Sequence, residues 1–376
     1  MSNHRVVILG GGVIGLSAAE HLTRKGLKVT LLDKGPFARE ASWAGAGYVD
    51  LRDAFRVGGS FLDLCRLSYD LYPEWTERLK KESGIDPEFL HSGGIGLTFR
   101  PEEEKIFREM EEKTAPRGLK GEWLTGEKAL TWEPALSPEV RSAWFLPQTR
   151  QVRPPRLNRA LLRVLQNQGV EFRENEEVLE ILREGSRAIG VATLQGKIQA
   201  DHVLVTGGAW TGGILEKTGI SLPVRPVKGQ VVLFKAAPGL FKSILFSSSA
   251  YLVPRLDGHV YVGSTLEEAG FDKSVTKAAF DRLVQGARQA VPALGKAIIE
   301  SSWAGLRPAT RDGWPYLGPT PGWENLWVAA GHFTHGILLS CVTGRLMAQA
   351  LSGEKTDLSL EPFRLDREPY PPSGIY

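Results

Sequence analysis

The segment RVVILGGGVIGLSAAEHLTRKGLKVTLLDK, residues 5–34, decides the fold class of this 376-residue chain. Residues 6–9 form a continuous apolar run, which is typical of a strand buried on both faces. The glycines of residues 10–15 fit the pattern GxGxxG, and apolar residues then recur at helical spacing. A second apolar strand over residues 29–32 ends at Asp33. Strand, glycine turn, helix and strand together predict a Rossmann-like nucleotide-binding unit in an α/β protein.

Each glycine of this turn has a mechanical reason. Gly10 permits the tight turn, Gly12 lets the backbone approach a pyrophosphate, and Gly15 lets the helix pack closely on the strand. Val13 and Ile14 begin the helix, whose N-terminal N–H groups and partial positive charge favour phosphates. The turn therefore predicts a dinucleotide site.

The second strand completes this site. Asp33 is placed to accept hydrogen bonds from ribose hydroxyls, and Lys34 follows it. Both residues are predicted cofactor contacts.

Composition limits the remaining functional classes. The chain has 42% hydrophobic and 24% charged residues, and its length favours two domains. With 46 basic and 43 acidic residues, a net charge of +3 predicts neither a nucleic-acid nor a membrane partner. No run of about 18 apolar residues predicts a membrane-spanning helix. Cys65 and Cys341 stand far apart without a Cys/His cluster, so we expect no metal site and a reducing, cytoplasmic location.

The next segment indicates which dinucleotide, FAD or NAD, is the cofactor. A nicotinamide dehydrogenase would continue with alternating strands and helices, whereas residues 39–48 read REASWAGAGY, a small-residue loop able to pass beneath a flat ring system. This loop resembles that of the D-amino-acid-oxidase-like family of FAD enzymes. The resemblance implies FAD contacts from Ala41, Ser42, Ala46, Gly47 and Tyr48.

Later segments resume the nucleotide domain and add a strand-rich block. Residues 203–205 form a buried strand that opens into two glycines, and the family resemblance implies cofactor contacts from Gly207 and, at the adenine, Val178. The turn Asp257-Gly258 predicts a hairpin within a mixed α+β substrate domain built on an antiparallel sheet. The predicted division is a discontinuous FAD-binding domain (1–85, 151–225 and 305–367), a substrate-binding domain (86–150 and 226–304) and a tail (368–376).

Residues 303–318, WAGLRPATRDGWPYLG, form the most specific segment outside the N-terminus. The guanidinium of Arg307 suits bidentate recognition of a carboxylate. The alternative is a structural arginine paired with Asp312 or Glu300.

The pattern GLRPxTxDGxPxLG, followed by AAGHFxxGILL, resembles the glycine oxidases of the thiamine-biosynthesis type along nearly the whole chain. This resemblance implies that Arg307 clamps the substrate carboxylate and that the Tyr251 hydroxyl supports it, which makes these two the predicted catalytic residues. Leu266 and Thr334 are the further predicted contacts of the substrate.

The segment AAGHFTHGILLS, residues 329–340, is interpreted as a loop that leads into a buried helix from Ile337 onward. A reduced flavin tends to carry negative charge at its N1/C2=O edge, and a helix N-terminus stabilises it. The predicted cofactor contacts here are His332, Phe333, Thr334, His335, Gly336, Ile337 and Leu338.

Thr334 departs from the family pattern, in which a second arginine lies near the substrate carboxylate. Threonine offers no charge, and a bond to a charged group contributes ~1.5–3 kcal/mol. The rank of glycine among possible substrates is therefore left open.

The resemblance implies an FAD-dependent oxidase that acts on glycine, sarcosine or small D-amino acids. Hydride would pass from Cα to flavin N5, the imine would hydrolyse to the 2-oxo acid (glyoxylate from glycine) and ammonia or amine, and dioxygen would yield hydrogen peroxide. Non-covalent FAD is expected because residues 310–320 contain no cysteine. A homo-oligomer is also expected, and neither His332 nor His335 is predicted to act as a base.

Several alternatives stay open: a D-amino-acid dehydrogenase, a sarcosine-oxidase-like enzyme and a flavin-binding subunit of a larger oxidase. A tRNA-modifying relative would need a basic face or a fused methyltransferase, and the sequence has neither feature.

Overall fold

The computed structural model of the protein describes residues 4–370. The helices are α1 (Val13–Arg24), α2 (Ala41–Ala44), α3 (Arg52–Val57), α4 (Gly59–Ser83), α5 (Pro101–Thr114), α6 (Gly126–Trp132), α7 (Pro154–Asn167), α8 (Thr211–Glu216), α9 (Lys277–Ala290) and α10 (Gly336–Leu351). The strands are β1 (Arg5–Leu9), β2 (Lys28–Leu32), β3 (Tyr48–Val49), β4 (Gly94–Thr98), β5 (Glu122–Thr125), β6 (Ser142–Leu146), β7 (Arg150–Gln151), β8 (Glu171–Arg173), β9 (Val178–Glu184), β10 (Arg187–Thr193), β11 (Gly196–Gln199), β12 (His202–Val205), β13 (Arg225–Lys235), β14 (Ile244–Phe246), β15 (Tyr251–Pro254), β16 (His259–Gly263), β17 (Ile298–Ala309), β18 (Tyr316–Pro319) and β19 (Leu326–Ala330).

A six-stranded sheet in the order β18-β19-β12-β1-β2-β8 carries the nucleotide-binding unit. Its strands run parallel except for β18, which pairs antiparallel with β19. Helices α1, α10, α4 and α7 pack together in one continuous apolar core with this sheet. A second apolar cluster joins it to the three-stranded sheet β11-β10-β9. The predicted Rossmann-like architecture is confirmed.

An eight-stranded sheet in the order β17-β13-β16-β15-β14-β4-β6-β5 forms the second layer. Its pairs are antiparallel except β14 with β4, which run parallel. Helix α9 covers one face in its own apolar cluster. A separate cluster that contains Ala46, Val253 and Tyr261 joins this sheet to the small-residue loop. The sheet therefore supports residues that the sequence assigns to the cofactor site.

The predicted hairpin is present, because β15 and β16 pair across the Asp257-Gly258 turn, where Gly258 has φ of +87°. The domain division itself stays a prediction. Strand β13 begins at Arg225 and β17 continues to Ala309, so the larger sheet extends slightly beyond the predicted ranges. The predicted tail 368–376 lies largely outside the described residues.

Two local expectations needed correction. Residues 39–48 are not one open loop: the Glu40 carbonyl accepts the N–H groups of Trp43 and Ala44 to form α2, and Tyr48 pairs with Gln151. Helix α10 begins at Gly336, one residue before the predicted start. Among residues 4–370, no helix combines the length and the apolar character that crossing a bilayer requires.

Candidate active site

A cavity of about 840 Å³ lies where the two large sheets meet, and residues of both sheets line it. Cavities that hold small molecules and cofactors span roughly 300–1,000 Å³. The lining runs from Asp33 and the glycine turn to Tyr251 and Arg307. The predicted nucleotide and substrate residues therefore share one continuous space.

The glycine turn has the close contacts that its sequence pattern predicts. Gly10 has φ of +116°, and a Cβ there would lie 2.5 Å from the Thr206 carbonyl oxygen. A Cβ on Gly15 would lie 2.0 Å from the Gly10 carbonyl oxygen, so only glycine lets α1 approach β1 this closely. Gly12 lines the cavity at the N-terminus of α1.

Asp33 fixes the geometry of this turn. Its Oδ2 accepts the N–H of Gly11 at 2.8 Å, and its Oδ1 accepts the N–H of Gly35 at 2.9 Å. Burial raises the pKa of Asp33, and the two backbone donors oppose that shift. Each carboxylate oxygen has a second lone pair, which suits a ligand hydroxyl. Beside Asp33, Lys34 lies 4.2 Å from the ring centroid of Trp210, another residue of the cavity wall.

The small-residue segment 41–47 is held from both sides. Ser42 Oγ accepts the N–H of Val13 at 2.9 Å. On the larger sheet, the Tyr261 hydroxyl donates to the Ala44 carbonyl at 2.7 Å, and the Arg255 guanidinium donates to the Ala46 carbonyl. The segment is therefore fixed to α1 and to the larger sheet at once.

Arg255 is buried beneath this segment, and it also donates to Gln151 Oε1 at 2.8 Å and to the Val152 carbonyl at 3.0 Å. Burial lowers the pKa of Arg255 to about 10. Its bonds to oxygen acceptors offset part of the cost of removing the charge from water.

Arg307 projects from β17 into the cavity wall and donates to the Thr265 carbonyl at 3.1 Å and to Ser264 Oγ at 2.6 Å. A Cβ on Gly229 of the neighbouring strand would lie 2.1 Å from its Nη1. The side chain therefore occupies a groove that only glycine leaves open.

Neither candidate structural partner contacts Arg307. Asp312 forms an ion pair with Arg367 at 3.0 Å, and Glu300 pairs with His259 at 2.6 Å. Within residues 4–370, no carboxylate lies within 4.0 Å of the Arg307 guanidinium. Arg307 is thus a cation on the cavity wall that is free to bind an anionic ligand.

Three tyrosines surround the approach to Arg307. The rings of Tyr48 and Tyr251 meet edge to face with centroids 5.5 Å apart, and Tyr251 stacks on Tyr261 at 6.1 Å. Burial raises the pKa values of Tyr48 and Tyr261 well above the usual range. Both phenols therefore stay neutral.

The histidines near α10 are buried and neutral. Burial lowers the pKa of His332 to about 3, and its Nε2 lies 3.1 Å from Thr343 Oγ1. Burial also lowers the pKa of His335, whose ring packs edge-on against Phe61 at 5.2 Å. Thr334 lines the cavity between them, with Oγ1 3.2 Å from His335 Nδ1.

Most of the predicted site residues lie on the cavity wall. They are Gly10, Gly12, Val13, Ile14, Asp33, Lys34, Ala41, Ser42, Ala46, Gly47, Tyr48, Val178, Gly207, Tyr251, Leu266, Arg307, His332, Phe333, Thr334, Gly336 and Ile337.

Three predicted cofactor contacts lie outside the wall, each for a packing reason. Gly15 faces the β1 backbone, and the His335 ring turns toward Phe61. Leu338 is buried against α4, where its carbonyl accepts from Ser68 Oγ at 2.5 Å.

Several residues of the wall were not predicted from the sequence, among them Asp53, Trp210 and Ser264. Trp210 closely follows the two glycines at the end of the predicted strand, and this position could have identified it as a cofactor contact. Asp53 and Ser264 have no local signal, since only chain segments distant in sequence bring them to the cavity.

The chain matches the family model DAO, FAD dependent oxidoreductase, over residues 5–350. It therefore belongs to this family of FAD-dependent oxidoreductases, as the sequence resemblance predicted. Glycine oxidase of Pseudomonas aeruginosa is 39% identical over 373 residues, which cover 99% of each chain. The hydrogen cyanide synthase subunit HcnC of Pseudomonas protegens is 33% identical over 400 residues and 96% of each chain.

The structure agrees with this assignment. The crystal structure of glycine oxidase from Geobacillus kaustophilus superposes with a TM-score of 0.91 and 33% sequence identity. That match covers 97% of this chain and 100% of the other.

The cavity residues fit FAD. The glycine turn and the α1 N-terminus supply N–H groups for a pyrophosphate, and Asp33 supplies acceptors for a ribose. The small-residue segment at 41–47 leaves backbone, rather than bulky side chains, along the cavity toward Arg307. The predicted FAD cofactor is thus supported by both the family and the site.

Replacing Asp33 with Ala should weaken FAD binding about 10- to 100-fold, because a hydrogen bond to a charged group contributes ~1.5–3 kcal/mol. Titration of apoprotein with FAD measures this change. Asp201→Ala is the control, since Asp201 also accepts a backbone N–H, that of Arg5 at 2.7 Å, but does not line the cavity. Equal FAD affinity in the Asp33 variant and the wild type would show that Asp33 does not contact the cofactor.

Proposed function

We propose that the protein is an FAD-dependent oxidase of small amino acids, with glycine, sarcosine and small D-amino acids as the substrate class. The reaction would convert the amino acid, water and dioxygen into the 2-oxo acid, ammonia or an amine, and hydrogen peroxide. The observation that carries this proposal is Arg307, a guanidinium on the cavity wall without a carboxylate partner among the described residues. The identity to glycine oxidases supports it.

The carboxylate of the substrate would bind Arg307. A guanidinium and a carboxylate match in a bidentate geometry, and the groove at Gly229 holds the arginine in one position. Tyr251 lies on the same wall, so its hydroxyl is available as a further donor to the carboxylate. Together these contacts would orient the substrate rather than react with it.

FAD, when bound, supplies the acceptor for the hydride that leaves Cα. The chain contributes position and electrostatics. The N–H groups at the start of α10, from Gly336 and Ile337 on the cavity wall, offer partial positive charge to the cofactor.

No histidine base is assigned. His332 is neutral and hydrogen-bonded to Thr343, and the His335 ring is turned away from the cavity wall. Hydride transfer from a neutral amine needs no base at Cα. We therefore assign catalysis to orientation and to the electrostatics around the cofactor.

FAD would be held without a covalent bond. Both cysteines, Cys65 and Cys341, are buried, and neither lines the cavity.

A second candidate is a flavin-binding subunit of a larger oxidase, which the similarity to subunit HcnC favours. A D-amino-acid dehydrogenase would use the same carboxylate site and a different electron acceptor. Activity of the isolated chain with dioxygen separates both candidates from the proposed oxidase.

Replacing Arg307 with Ala should raise the KM for glycine and sarcosine about 100-fold or more, since breaking a charged hydrogen-bonded contact costs ~2–5 kcal/mol. Steady-state kinetics at full FAD occupancy measure the effect. Arg307→Lys should be intermediate because it keeps the charge and loses the bidentate fork.

The matched control is Arg225→Ala. Arg225 lies on the same sheet, is paired with Glu268 at 2.8 Å and stays outside the cavity. An unchanged KM in Arg307→Ala would rule out the proposed carboxylate site.

Thr334 should determine the order of kcat/KM among glycine, sarcosine and D-alanine. Thr334 is uncharged, so sarcosine and D-alanine can offset a weaker carboxylate grip by burying apolar area at ~25 cal/mol per Å², whereas glycine cannot. Replacing Thr334 with Arg should improve kcat/KM for glycine relative to the two larger substrates. Equal changes for all three, or a loss for glycine alone, would mean that residue 334 does not bind the carboxylate.

A further inference from the structure

Asp53 is a carboxylate on the cavity wall that the proposed reaction leaves without a role. It lies in the first turn of α3 and keeps 26% of its side chain exposed. Among residues 4–370, its nearest cationic atom is Arg56 Nη2 at 4.0 Å, and no donor lies within hydrogen-bonding distance of its oxygens. A partly exposed pair at this separation neutralises little charge.

Asp53 follows Tyr48 of β3 closely in the chain, at the start of α3. Burial raises the pKa of Tyr48, and the charges of Tyr251 and Asp53 add to this shift while Arg52 and Arg307 oppose it. The ring of Tyr48 meets the rings of Tyr251 and Phe246 edge to face, with centroids 5.5 Å and 5.8 Å apart. Arg52, next to Asp53 in the chain, lies 4.0 Å from the same Phe246 ring centroid. The start of α3 thus packs beside the aromatic group around Tyr251, which places Asp53 on the cavity wall near the predicted substrate residues.

The two arginines of α3 do not present their positive charge to a ligand in the cavity. Arg52 is buried with its guanidinium 4.0 Å from the Phe246 ring centroid, and neither Arg52 nor Arg56 lines the cavity. The neighbouring histidine, His335, is neutral. Arg307 and Asp53 are thus two oppositely charged side chains of the same cavity wall.

We propose that Asp53 makes the protein selective for the charge of the second group of the substrate. This second group is attached to the amine on the side away from the carboxylate. With the substrate carboxylate on Arg307, a cationic or neutral second group would be accepted next to Asp53, and a second carboxylate would be rejected. The substrate class is then amino acids with one carboxylate, with a preference for a basic second group. This proposal rests on the proposed function, because it places the first carboxylate on Arg307.

The test uses ligands that cannot be oxidised, so that it does not depend on turnover. Methoxyacetate, oxydiacetate and (2-aminoethoxy)acetate share one carboxylate and an ether oxygen in place of the amine, and they differ in a neutral, an anionic or a cationic second group. Binding to the FAD-loaded protein is followed by the change in flavin absorbance. The wild type should bind the cationic ligand most tightly and the anionic ligand at least about 10-fold more weakly, since like charges close together in a partly buried site repel strongly.

The variant Asp53→Asn keeps the shape of the side chain and removes its charge. It should reduce the ratio between the largest and the smallest of the three Kd values to about three or less. The Kd of methoxyacetate should stay nearly unchanged. Asp63→Asn is the control for net charge, because Asp63 is exposed on α4 and lies outside the cavity.

A ratio of Kd values that is the same in Asp53→Asn as in the wild type would overturn the assignment of Asp53. Failure of all three ligands to bind would overturn the carboxylate site and this proposal with it. If the ligands bind as expected but glycine and sarcosine leave the flavin oxidised, the proposed oxidase function fails and the role of Asp53 stands.

Discussion

The buried guanidinium of Arg255 ties the two halves of the protein together. It joins the hairpin of the larger sheet to the carbonyls of Ala46, in the small-residue segment, and of Val152, between β7 and α7. A buried cation without hydrogen bonds would cost several kcal/mol, so its oxygen acceptors must stay in place for the fold to keep it. Through this contact the larger sheet, which carries Arg307 and Tyr251, is held in register with the glycine turn.

The charges of the cavity follow from where each group is buried. Burial keeps the phenols of Tyr48 and Tyr261 and the rings of His332 and His335 neutral. On the same cavity wall, Arg307 has no carboxylate within 4.0 Å among the described residues, and Asp53 has only the distant pair with Arg56 at 4.0 Å. Such a site suits a ligand that carries a carboxylate, which is why we propose an amino acid as the substrate. In the proposed reaction the cofactor accepts a hydride, so that no side chain needs to act as a base.

Most of the features that the sequence predicted correctly depend on patterns within one short segment of the chain. The strand, glycine turn and helix over residues 5–34 depend on contacts within one segment, so periodicity and the positions of Gly10 and Gly15 were sufficient. Arg307 was found from its motif, but its groove at Gly229 and its bond to Ser264 arise from pairing with strands far away in sequence. Asp53 escaped prediction for the same reason. The short helix α2 instead rests on two local hydrogen bonds to the Glu40 carbonyl, which the small residues of the segment did not indicate. The homo-oligomer and the cytoplasmic location stay predictions.

Reduction of the flavin without oxygen, followed by its reoxidation in air, tests most directly whether the protein is an amino-acid oxidase. The purified FAD-loaded chain is mixed with sarcosine without oxygen and, once its absorbance is steady, exposed to air. We expect bleaching of the flavin, followed by recovery of its colour with one hydrogen peroxide formed for each flavin reoxidised. A flavin that dithionite bleaches, but that glycine, sarcosine and D-alanine all leave oxidised, would contradict the proposed function.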